Sequence, residues 1–79
     1  MPTRYLTRLA RNVRPDDVII WRDGDTTAIQ SVERARSQID GATLIKITPV
    51  PDLTGPFAGQ TFPLYYRTAD TLTIRRTYP

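Results

Sequence analysis

Two β-rich runs make up the stretch Asp17-Val-Ile-Ile-Trp-Arg-Asp-Gly-Asp-Thr-Thr-Ala-Ile-Gln-Ser-Val-Glu33. They lie at residues 17–22 and 26–33, with Asp23-Gly24 between them. Asp-Gly between such runs is a strong hairpin signal, because a type I′ turn requires positive φ at both central positions. The stretch therefore predicts an antiparallel hairpin at the centre of the fold.

A third strand and a long loop are predicted after this hairpin. Asp40-Gly41 is a second turn signal, and residues 42–48 (ATLIKIT) follow it as a β-rich run. Residues 49–59 then contain three prolines and two glycines. Because proline cannot donate to a strand ladder, this composition predicts a loop without regular structure.

The last part of the chain predicts a second hairpin. Residues 60–67 and 71–78 alternate apolar and polar side chains around a turn at 68–70, and in a three-residue loop Tyr65 faces Thr73. The alternation in all strands predicts one shared core. Its expected members are Ile19, Trp21, Ile29, Ile45, Ile47, Phe62, Leu64, Tyr66, Leu72 and Ile74.

The first fifteen residues contain four arginines and no acid, whereas the remaining seven basic side chains are outnumbered by eight acidic ones. The net charge of +3 therefore originates in this segment. At about 100° per residue, the pattern predicts an amphipathic helix over residues 3–14 that ends before Pro15. Its basic arc contains Arg4, Arg8, Arg11 and Arg14, and its apolar arc contains Tyr5, Leu6, Leu9, Ala10 and Val13.

Charge segregated in this way points to an anionic partner. The arginine row could follow a nucleic-acid backbone, and the helix could instead lie on an anionic membrane surface or in a groove of another protein. The remaining alternative is a docked helix whose arginines only keep the protein in solution.

Two further surfaces are candidates for binding. Tyr65, Arg67 and Arg75 would share the exposed face of the second hairpin, where bases could stack on a ring and guanidinium groups could contact phosphates. The same residues are also typical of an ordinary solvated sheet face. Phe57, at the tip of the Pro/Gly loop, is either tucked over the end of the domain or offered to a partner.

The stretch Val13-Arg-Pro-Asp-Asp-Val-Ile-Ile-Trp-Arg-Asp-Gly-Asp-Thr26 leads from Pro15-Asp16-Asp17 to a glycine turn, and Ile29-Gln-Ser-Val32-Glu33 follows it. This pattern resembles the opening hairpin of small SH3-like β-barrel domains. Asp16 stands where the nucleic-acid-binding KOW type has glycine, and the glycine-centred second turn of that motif is missing. The resemblance implies a small barrel and leaves the class of partner open, since such barrels bind RNA, DNA, peptides or other subunits.

Catalysis by cysteine or by a histidine-based triad is excluded, because the chain contains neither residue. The acidic pairs Asp16-Asp17 and Asp23-Asp25 are separated by a strand about 17 Å long, so they cannot share a metal ion. We therefore expect no enzyme activity, no metal and no cofactor.

A chain of 79 residues has room for one core, and we expect a single domain over residues 1–79. The predicted fold is mainly β: a small five-stranded, mostly antiparallel SH3-like barrel over 17–78, with one N-terminal helix over 3–14. The N-terminus lacks the apolar run of a signal peptide or membrane span, and the chain has no cysteine. A cytoplasmic location is expected.

The predicted function is that of a non-catalytic binding module that binds nucleic acid through the N-terminal arginines, extended by Tyr65, Arg67 and Arg75. The alternative is a protein–protein interaction module, either a small bacterial or phage assembly component or an inhibitor of a host protein. In that alternative, contact would be made through Phe57, the helix or an exposed sheet edge.

Overall fold

The computed structural model describes residues 3–51, 53–56 and 58–77. These residues form one antiparallel sheet of six strands in the order β1-β6-β2-β3-β4-β5, together with a 3₁₀ turn at Ala10–Asn12. The mainly β prediction is therefore confirmed, with one strand more than expected. The strands are β1 Thr3–Leu9, β2 Val18–Ile20, β3 Thr26–Arg36, β4 Thr43–Pro49, β5 Leu64–Arg67 and β6 Thr71–Thr77.

The central hairpin is confirmed, but its turn differs from the predicted one. β2 pairs with β3 in a register that places Trp21 opposite Asp25 across a three-residue loop. Gly24 has φ +88°, whereas Asp23 is not in the left-handed region, so the turn is not type I′. Instead, Gly24 N–H donates to the Trp21 carbonyl at 3.0 Å, and Gly24 supplies the single left-handed residue that three-residue hairpin loops require.

The long strand β3 bends the sheet. Its first three residues pair with β2, its residues from Ile29 onward pair with β4, and the register shifts between Ile29 and Ser31. A bulge of this kind bends a strand and increases its twist. The sheet nevertheless does not close, because in the described part of the chain β1 and β5 are its two edges and do not pair. The predicted closed barrel is wrong.

Residues 3–9 form a strand, so the predicted helix over 3–14 is also wrong. β1 pairs with β6 over seven residue pairs, from Thr3 opposite Thr77 to Leu9 opposite Thr71. A helix of about 12 residues is marginal in water, whereas pairing satisfies the backbone and packs Leu6 against the core. The four arginines consequently do not form a row on one helical ridge.

The predicted second hairpin does not form either. β5 pairs with β4, placing Tyr65 opposite Lys46 and not opposite Thr73. β6 pairs with β1 on one side and with β2 on the other, so neither of its edges is left for β5. The turn that follows Arg67 therefore carries the chain from one part of the sheet to another.

The core lies on the inner face of this bent sheet. Most predicted members are buried, but Phe62 is 59 % exposed and lies beside Val50 in a groove along β3. Trp21, Leu64 and Tyr66 pack against the core while remaining partly accessible. The buried apolar residues are Ala10, Val13, Ile19, Ile29, Ile45, Ile47, Leu72 and Ile74.

We predict that Ile47→Ala lowers the free energy of unfolding by about 2–5 kcal/mol, because Ile47 is 0 % exposed and its truncation leaves a cavity. The matched control is Ile39→Ala, since Ile39 is 96 % exposed and should change stability by less than about 0.5 kcal/mol. Urea unfolding followed by Trp21 fluorescence measures both. Equal effects of the two substitutions would contradict this assignment of the core.

Candidate functional site

The segment after β1 is fixed by two buried residues. Ala10 is fully buried, and its N–H donates to the Asp70 carbonyl at 2.7 Å. Val13 is 4 % exposed, and its N–H donates to the Ala10 carbonyl at 3.2 Å. Arg11 and Asn12 lie between these two anchors and are exposed. The 3₁₀ turn therefore holds both polar side chains at the surface.

Next to this turn lies a depression of about 390 Å³ that we call the basic cleft. Arg8 reaches it from the end of β1, Arg76 reaches it from β6, and Arg14 reaches it from the segment leading to β2. The buried Val13 forms part of its wall. The cleft is lined by Arg8, Arg11, Asn12, Val13, Arg14 and Arg76.

Arg76 is held by a buried carboxylate, Asp17. Arg76 Nε donates to Asp17 Oδ1 at 2.8 Å, and Nη2 donates to Oδ2 at 2.8 Å. The side chains are 12 % and 3 % exposed, respectively. The backbone N–H of Arg14 also donates to Asp17 Oδ2, at 2.9 Å. This two-pronged geometry orients the guanidinium group and ties β6 to the segment before β2.

The Asp17 carboxyl remains ionised in this environment. Burial alone would raise its pKa, but the hydrogen bonds from Arg76 and the Arg14 backbone, together with the charges of both arginines, outweigh burial. Together they lower the pKa of Asp17 below its usual value of 3.8. The negative charge of Asp17 therefore balances the positive charge of Arg76.

The other cleft arginines are not balanced in this way. Arg8 is half-buried, while Arg11 and Arg14 are exposed. Among the described residues, none of these three side chains forms an ion pair with a carboxylate. The basic cleft therefore carries a positive charge of about three, counting Arg76 and Asp17 as neutral together.

The structure brings together three of the four N-terminal arginines predicted to act jointly. Arg8, Arg11 and Arg14 share the cleft, although a strand end and a turn position them instead of a helix. Arg4 lies on the same face of β1 as Arg8, opposite Arg76 in the sheet, and does not line the cleft.

The other predicted binding surface is not assembled. Tyr65 and Arg67 lie on β5, whereas Arg75 lies on β6, with β2, β3 and β4 between these strands in the sheet. Arg67 forms an ion pair with Asp40 at 2.9 Å in addition. Tyr65, Arg67 and Arg75 are not brought together, because the predicted hairpin that would have made them neighbours does not form. Phe57, the predicted partner-binding residue, lies outside the described residues.

Arg76 and Asp17 are parts of the site that were not predicted from the sequence. Strand alternation contained the signal, because Leu72 and Ile74 point inward and Arg76 continues their face. An inward-facing arginine requires a buried acceptor, and Asp17 is the acid that begins the central hairpin. Asp16 beside it has φ +74°, the left-handed geometry that favours glycine, at the position where the KOW type has glycine.

The sequence matches no protein-family model, and no curated protein is significantly similar to it. Within the described ranges, no group of three His, Cys, Asp or Glu side chains is placed to hold a metal ion. No helix among these residues has the length and apolar character needed to cross a membrane.

We predict that Asp17→Asn destabilises the protein by about 3 kcal/mol or more at neutral pH, because it leaves Arg76 without a buried counter-charge. The pKa of Asp17 is lower in the folded than in the unfolded chain, so its stabilisation is fully present above pH 3.8. It is lost as the pH falls through the folded value. The difference in unfolding free energy between wild type and variant should therefore shrink in acid.

Urea unfolding of both proteins from neutral pH to below pH 3.8 measures this difference. Asp25→Asn is the matched control, since Asp25 is exposed and its substitution should change stability by less than about 0.5 kcal/mol. A difference between wild type and Asp17→Asn that stays constant over this pH range would contradict the role assigned to the pair.

Proposed function

We propose that the protein is a non-catalytic module that binds the phosphate backbone of nucleic acid through the basic cleft. The observation that carries this proposal is the convergence of Arg8, Arg11 and Arg14 on one cleft in which Asp17 neutralises only Arg76. Guanidinium groups suit phosphate because they donate two parallel hydrogen bonds to its oxygens.

The lining of the cleft favours backbone contacts over base recognition. Among the described residues, its lining contains no aromatic side chain on which a base could stack, and its polar groups other than arginine come from Asn12. Contacts to phosphates position a protein on nucleic acid but carry no sequence information directly. We therefore propose binding with little sequence preference, in contrast to the stacking platform expected around Tyr65.

Three further features support a nucleic-acid partner. The unbalanced charge is concentrated at the cleft, and the chain as a whole has a net charge of +3 and a pI near 9.8. A positive field of this kind accelerates encounter with a polyanion. Arg11 and Arg14 are exposed, so a long polymer can reach them without opening the fold. The proposal includes a cytoplasmic location.

The decisive experiment compares two variants that lose the same charge. The cleft variant carries Arg8→Gln, Arg11→Gln and Arg14→Gln, and the control carries Arg22→Gln, Arg34→Gln and Arg36→Gln. Arg22 lies in the turn between β2 and β3, and Arg34 and Arg36 lie on β3. All three are exposed and lie away from the cleft. Fluorescence anisotropy with labelled single- and double-stranded DNA and RNA measures affinity at several salt concentrations.

We expect wild type to bind with a log–log salt slope of about −2 to −3, as neutralisation of about three phosphates requires. The cleft variant should lose most of this slope, whereas the control should keep it. Equal loss in both variants would show that net charge alone drives binding. Absence of salt-sensitive binding by wild type would refute the proposal.

A further inference from the structure

The two edges of the sheet differ in how well they are protected from further pairing. The β5 edge has four residues, follows Pro63, and contains Arg67 held in an ion pair with Asp40. Short length and proline are devices that discourage strand addition. The β1 edge has seven residues, contains no proline, and pairs only with β6 among the described strands. It is therefore the edge open to another strand.

The start of the long loop does not cover this edge. Val50 N–H donates to the Ala28 carbonyl at 2.9 Å, which places the start of the loop against β3. β6 and β2 separate β3 from β1 in the sheet. Tyr5 is 68 % exposed, and Thr7 is exposed as well.

The backbone groups that face outward from β1 can be identified from the register. Ala10 N–H donates to the carbonyl of Asp70, which lies opposite it in the register. Because the direction of the backbone groups repeats every two residues along a strand, Arg8 and Leu6 also direct their backbone groups towards β6. The alternate residues Tyr5, Thr7 and Leu9 direct their N–H and carbonyl groups to the open edge. These groups are the hydrogen-bonding positions available to an added strand.

The side chains of β1 determine which kind of strand can be added at this edge. Relative to an added strand, Leu6 and Arg8 occupy non-hydrogen-bonded positions, where cross-strand side chains approach most closely. An acidic residue would therefore lie next to Arg8, and an apolar residue next to Leu6. A second copy of β1 fits poorly, because each copy brings Arg4 and Arg8 and no acidic side chain to the pairing.

We propose that the β1 edge binds an extended segment of a partner protein as a seventh strand, with an acidic side chain opposite Arg8 and an apolar side chain opposite Leu6. Main-chain hydrogen bonds to Tyr5, Thr7 and Leu9 supply the pairing, and the two opposed side chains supply selectivity. This site shares Arg8 with the proposed nucleic-acid cleft and does not include Arg11 or Arg14.

The probe is a capped peptide of sequence Thr-Glu-Thr-Val-Thr-Glu-Thr, which presents the same side chains in either strand direction. Amide hydrogen exchange measured by NMR gives a residue-by-residue readout. Without peptide, we expect slow exchange at Leu6 and Arg8 and fast exchange at Tyr5 and Thr7. With peptide, exchange at Tyr5 and Thr7 should slow, which electrostatic attachment of the peptide at the cleft would not cause.

Thr7→Pro is the variant that tests the edge, since it removes an outward N–H that β6 does not use. Proline is tolerated at such edge positions, and we expect peptide binding to weaken by about tenfold or more while the urea midpoint is retained. Thr7→Val keeps the N–H and should bind like wild type. The variant with Arg11→Gln and Arg14→Gln should also bind the peptide, even if it no longer binds nucleic acid.

Three results would overturn the proposal. The first is equal binding of a peptide with lysine in place of both glutamates, because charge would then not select the strand. The second is slowed exchange confined to the cleft segment 11–14. The third is the absence of any change at Tyr5 and Thr7 in wild type, a result that stands even if Thr7→Pro fails to fold.

Discussion

The ion pair between Asp17 and Arg76 joins two parts of the chain that are 59 residues apart in sequence. It fixes the segment between the 3₁₀ turn and β2 against β6, and that segment forms one wall of the basic cleft. A buried carboxylate is costly unless its oxygens are satisfied, and here two bonds from Arg76 and one from the Arg14 backbone satisfy them. The pair therefore determines the shape of the cleft while contributing no net charge to it.

β6, which carries Arg76, connects this ion pair to the rest of the sheet. It pairs with β1 on one side and β2 on the other, and Ile74 lies fully buried between Leu6 and Ile19 in the register. Because both edges of β6 are occupied, β5 is left to pair with β4 at the far end of the sheet. Pairing with β6 also makes β1 a terminal strand of the sheet. The open edge and the basic cleft therefore both depend on the pairing of β1 with β6.

Features of the fold that depend on local sequence signals could be predicted from the sequence. Features that depend on the pairing of strands distant in sequence could not. The central hairpin and the buried isoleucines followed from turn residues and alternation. Residues 3–14 satisfy a helical period because Arg4, Arg8 and Arg11 are spaced by four and three, but the pairing partner of this segment lies in β6, about 70 residues away. Three cleft arginines lie in the basic N-terminal segment found in the sequence, whereas Arg76 and its partner Asp17, which strand pairing brings together, were not predicted.

Arg8 connects the two proposed surfaces. It lines the basic cleft and also occupies the inner face of β1, next to any strand added at the edge. An acidic side chain opposite Arg8 would neutralise one of about three unbalanced charges at the cleft and so weaken its attraction for phosphate. Linkage makes such an effect reciprocal: nucleic acid in the cleft would weaken binding of the acidic strand by the same factor. Arg8, at the end of the edge strand, would thus make the protein partner and the nucleic acid compete, because both contact it.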